Sequence, residues 1–152
     1  MRDVRGLPLS TDSSEAAALF DRAVEHYLKF HADTPGLLDQ ALAADADFVM
    51  GHVFKGYMLL SAANPSNRAA IASNLLKAQQ QVRNATFGEQ MHVAAFQAWA
   101  EDALDQSFNI WRQILDEAPT DLLAVRICDT TWFRHGQTAL IREQADRVAK
   151  GW

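Results

Sequence analysis

With 152 residues, 49% of them hydrophobic and 22% charged, the chain has the composition of one globular domain, not of a disordered or fibrous segment. A formal charge of −5 without any block of basic residues argues against nucleic acid or an anionic membrane as partner. The lone Cys128 cannot form an internal disulfide, and no apolar run has the length of a signal sequence or a membrane span, so a soluble cytoplasmic protein is expected.

Residues 1–11 read as an extended lead, with Leu7-Pro8-Leu9 laid along a neighbouring helix. Asp12 followed by Glu15 has capping-box spacing and opens a helix to about Phe30, its stripe running through Ala16, Leu19/Phe20, Ala23/Val24 and Tyr27/Leu28. Thr34-Pro35 starts a shorter helix with Leu37, Leu38, Ala41 and Leu42 inward. Asp47 is expected to cap a helix over about 48–62 that is apolar almost all round. After the Asn64-Pro65-Ser66 turn, a more polar helix to Arg83 should bury Ile71, Leu75, Leu76 and Val82. Thr86 with Glu89 forms a second capping box for a helix over about 87–103, whose partner covers about 105–118. Asp121 caps the next helix, Gly136 closes it, and a last helix runs from about Gln137 to Ala149.

The stretch from Trp111 to Asp121, a helix that stops at Pro119 and restarts, is the best-defined joint between two helix-turn-helix units. Taking Pro119 as a unit's closing proline at the roughly 34-residue tetratricopeptide period puts Ala95 and Gly56 on the small-residue positions and Trp111 on the large one. Ala46, Ser107 and Asp129 depart from the pattern. Ala46 and Pro119 also stand slightly more than two periods apart, so one element is extended. The expected architecture is all-α: about eight helices as tetratricopeptide-like repeats in a right-handed α-solenoid. It is one domain, with a lead at 1–11, a first helix pair at 12–46, and repeat units at 47–84, 86–119 and 121–150.

The chain resembles the tetratricopeptide repeat protein 38 family. The resemblance is carried by Leu7-Pro8-Leu9-Ser10-Thr11 with Glu15-Ala16 and Leu19-Phe20-Asp21, and by Ala44-Asp45 with Phe48-Val49-Met50-Gly51-His52. It continues through Glu89-Gln90-Met91-His92-Val93, Trp111-Arg112-Gln113-Ile114-Leu115 and Pro119-Thr120-Asp121-Leu122-Leu123-Ala124. It implies an amino-terminal third of a longer protein, ending at Lys150-Gly151-Trp152 without a polar cap, and it supplies no catalytic residues. An uncapped repeat end exposes apolar surface, which is then expected to pack on further sequence or another subunit.

In such an array the first helix of each unit lines a concave face. That register puts Tyr57, then Glu89, His92, Phe96 and Trp99, then Arg126, Thr130 and Phe133 into a groove for a protein or peptide partner. The expected function is a scaffold for protein–protein interaction or self-assembly, including homo-oligomers through the carboxy-terminal helices, with no chemistry of its own. The alternative is a small-molecule-binding or metabolic enzyme domain with a pocket holding His52, His92 and Arg126. No HExxH, CxxC or glycine-rich phosphate loop is present, so no cofactor or metal is expected. Trp111 reads as structural glue and Cys128 as a buried, inert thiol.

Overall fold

Short polar turns and capping residues divide the chain into consecutive helix pairs. The computed structural model describes residues 1–151 and is all-helical, with eight α-helices: α1 Ser14–Leu28, α2 Thr34–Ala44, α3 Val49–Ser61, α4 Arg68–Gln81, α5 Phe87–Ala100, α6 Leu104–Glu117, α7 Leu122–Arg134 and α8 Thr138–Val148. Among the described residues no helix is long and apolar enough to cross a membrane. In each of the first three pairs the second helix packs extensively on the first; α7 and α8 touch more lightly. Helix α3 also packs on α5, and α7 reaches back to both α1 and α3.

Local chemistry explains the boundaries. Thr86 and Glu89 make the reciprocal capping box at α5, and the Asp121 side chain accepts from the Ala124 N–H at the start of α7. At α1 the cap is Ser13, not Asp12: its hydroxyl accepts from the Ala16 N–H, while Asp12 is exposed. Asp47 does not cap α3 either. Phe48 occupies the cap position, and Asp45 turns the chain by accepting from the Asp47 N–H. The first helix of every pair ends alike, on a residue with positive φ: Phe30, Ala63, Asp102 and Gly136. In α1, α5 and α7 the following N–H reaches back to a carbonyl five residues earlier, as His31 does to His26, satisfying the helix-end acceptors.

Packing is tightest where sequence placed small residues. A Cβ on Gly56 would lie 2.0 Å from the Phe96 ring, so α3 and α5 meet this closely only with glycine there. Ser107, fully buried, donates its hydroxyl to the Ala95 carbonyl of α5, so the alcohol fits its slot by bonding to backbone. Helix α4 is rotated from expectation. It buries Asn74 and Ala78, leaves Ile71 and Leu75 half-covered, and exposes Leu76, because Asn74 turns inward to His52 and back-bonds to Ala70.

The lead is a tight loop, not an extended segment. Arg2 and Pro8 form an antiparallel bridge, Asp3 Oδ1 accepts from the Arg5 and Leu7 N–H groups, and Gly6 supplies a φ of +86°. The loop is tied to α1 through Arg5 and Asp21 and to α5 through Ser10, which donates to Glu89.

Candidate functional site

The beginnings of α5 and α7, the end of α6 and the lead border a half-open cavity of about 540 Å³. This lies within the range of small-molecule sites. Its walls are mainly apolar: Leu7, Pro8 and Leu9 of the lead, Phe20 and Val24 of α1, Met50 of α3, Met91 of α5, and Leu122 and Leu123 of α7. Phe87, largely exposed, stands among the lining residues at the start of α5. Arg5, His92 and five carboxylates, of Asp3, Glu89, Asp116, Glu117 and Asp121, also line it.

His92 and Asp121 belong to a network that runs inward. His92 Nε2 lies 3.0 Å from Asp121 Oδ2, and Asp121 Oδ1 accepts from the Ala124 N–H at 2.9 Å. On the other side His92 Nδ1 is 3.1 Å from the Tyr57 hydroxyl, which donates to the His92 carbonyl and accepts from Trp111 Nε1, each at 3.0 Å. Burial alone would raise the Asp121 carboxyl. The His92 charge and hydrogen bond, the Ala124 amide and the more distant Arg5 outweigh it and hold the group below the usual carboxylate range. Burial pushes the Tyr57 phenol far above its ordinary value, so it stays protonated. Both His92 nitrogens and both Asp121 oxygens are engaged, and Tyr57 is fully buried.

Arg5 differs. One guanidinium nitrogen bridges Asp3 at 2.9 Å and Asp21 at 3.1 Å, but its buried Nε–H has no hydrogen-bond partner. A buried donor left unpaired costs about 1–3 kcal/mol.

These positions change the reading of the predicted site residues. Tyr57, Glu89, His92 and Phe96 are buried, and Trp99 is half-buried against Tyr57 and Trp111, so they do not form the walls of an open groove. The helices close on one another and these aromatics become core. Arg126 lies 4.1 Å above the Phe30 ring, Thr130 is half-buried, and only Phe133 is widely exposed. The alternative pocket is not assembled as expected either. His52 faces away, 2.9 Å from Asn74 Oδ1 and 2.8 Å from the Ala46 carbonyl, and neither it nor Arg126 lines the cavity. Only His92 is common to both. Arg5 and Asp3 were missed because their role depends on the folded loop of the lead, whose one sequence signal is Gly6 between charged and apolar residues. Cys128 is buried, and its thiol is pushed well up by burial and by Asp129.

No family model matches the chain, and no solved structure matches it.

Proposed function

We propose that the chain is a tetratricopeptide-like helical-repeat domain, of the kind its resemblance to the tetratricopeptide repeat protein 38 family implies, and that it binds a small, largely apolar molecule in the cavity beneath the lead. The repeat reading is supported by the four positive-φ residues that end α1, α3, α5 and α7 at roughly the 34-residue period. The longest step is the one across α4, where two additional short helical turns, Pro65–Asn67 and Val82–Asn84, lengthen the second unit. The observation that carries the binding reading is the mainly apolar cavity with the Arg5 side chain among its lining residues. It favours a ligand with an apolar body and one acceptor, such as a carboxylate, sulfonate or carbonyl group.

The test uses 1-anilinonaphthalene-8-sulfonate, which has that chemistry, titrated into the native protein and followed by fluorescence. Saturable one-to-one binding is expected. Arg5→Ala should weaken it about tenfold or more by removing a charged donor, and Met91→Trp should block it by filling the cavity. Equal affinity in both variants, with circular dichroism unchanged, would overturn the assignment.

A second reading, a partner-binding scaffold, is favoured by one observation. Phe30 at the end of α1 and Phe133 at the end of α7 are 80% and 70% exposed. Docking on these rings would use the carboxy-terminal ends of the first helices and not a concave groove.

A further inference from the structure

The turn between α1 and α2 gathers three metal-ligating side chains that the cavity does not use. His26 sits in the last turn of α1, and Phe30, at φ +59°, reverses the chain in the left-handed region that non-glycine residues rarely adopt. The His31 N–H then bonds back to the His26 carbonyl, which sets the two imidazoles edge to face with centroids 4.8 Å apart. Asp33, at the start of α2, places Oδ1 2.8 Å from His26 Nδ1. One nitrogen of each ring and one Asp33 oxygen all lie within 4.8 Å of one another.

We propose that His26, His31 and Asp33 bind a divalent transition-metal ion of the zinc type. Zinc holds imidazole nitrogen and carboxylate oxygen at about 2.0–2.2 Å, so its ligand atoms stand roughly 3.3 Å apart in a tetrahedron. The His26–Asp33 pair is already near that spacing, and the exposed His31 ring needs only side-chain rotation to close on it. The backbone of the turn is braced from outside, since the Arg126 guanidinium packs 4.1 Å over Phe30. The nearest cation in sequence, Lys29, is paired with Glu25. Two imidazoles and one carboxylate select zinc, copper or nickel over magnesium and calcium, which take oxygen ligands, and they leave positions open for water or a fourth ligand.

The experiment is calorimetric titration of the whole chain with Zn²⁺, with Mg²⁺ as the comparison, alongside NMR of the histidine ring signals. One Zn²⁺ per chain should bind, the His26 and His31 ring resonances should shift together, and Mg²⁺ should produce no shift. His26→Ala, His31→Ala and Asp33→Ala should each weaken binding by at least about tenfold, whereas His135→Ala should not change it. All these side chains are on the surface or half-covered, so helix content by circular dichroism should hold. Unmoved His26 and His31 signals at saturating Zn²⁺, or undiminished affinity in the His26→Ala/His31→Ala double variant, would overturn the proposal.

Discussion

The two ends of α7 are built on opposite principles. At its start Asp121 caps the helix with one oxygen and binds His92 with the other, and the connection continues through Tyr57 to Trp111 with each buried polar atom partnered. Beyond its first turn, Arg126 Nε and Asp129 Oδ1 are buried without hydrogen bonds, and near its end Phe133 faces outward. The same thirteen-residue helix thus joins a fully satisfied polar core to a region that retains unmet bonding capacity. The division follows what each part meets: the wired start carries one wall of the cavity, while the loosely satisfied remainder, through Arg126, packs against the turn after α1.

The largest expected effect comes from removing the innermost member of the wired end. Trp111 is fully buried, packs edge to face on Tyr57, Trp99 and Phe108, and donates to the Tyr57 hydroxyl. Trp111→Ala should lower unfolding free energy by about 3–5 kcal/mol, by urea denaturation, through cavity formation and the loss of one donor. A loss below about 1 kcal/mol would mean that this end is not the stability centre.

Next in size is Asp121→Asn, which keeps a competent cap and removes the charge that faces His92. A loss of about 1–3 kcal/mol at pH 7 is expected. The pH profile sharpens the assignment. The folded Asp121 carboxyl lies below its unfolded value, so the folded state holds fewer protons in that window. Its contribution is fully present above about pH 4 and is lost as pH falls through the lower folded value. The variant should lack this acid-side loss; parallel profiles for the two proteins would assign the acid sensitivity elsewhere.

Much of the wired end was legible in the sequence and little of the other. Thr86 with Glu89 and Asp121 after Pro119 are local signals, readable because a cap depends on residues within one turn, and Gly136 is the one such signal at the other end. Trp111 as an anchor follows from helical period alone. The groove failed because periodicity tells which face of a helix is apolar, not whether the facing helices stay apart. Tyr57 and Phe96 fit an open wall and a closed core equally well in one dimension, and their complete burial decides between them. The α4 face was misjudged for a related reason: Asn74 is inward because His52 is there to meet it. Arg5 and Asp3 enter the cavity wall through a loop whose form depends on side chain to backbone bonds within eight residues, a pattern that hydrophobic periodicity does not register.

The smallest expected effect has the opposite sign and tests the loosely satisfied end. Asp129 occupies a position that a repeat usually gives to a small residue. Burial pushes its carboxyl up to about 6, against the lowering effect of Arg126. With the folded value above the unfolded one, the folded state retains a proton that the unfolded chain has released. Stability from this group is therefore complete below about pH 4 and falls as pH rises through about 6. Asp129→Asn removes the ionisation and should raise stability at pH 7 by about 1 kcal/mol, a modest figure because solvent still screens the half-buried site. Thermal unfolding followed across this pH range should show the wild-type decline flattened in the variant. If the variant declines as steeply as the wild type, the Asp129 carboxyl is already satisfied when charged, and the two ends of α7 are less different than their hydrogen bonds imply.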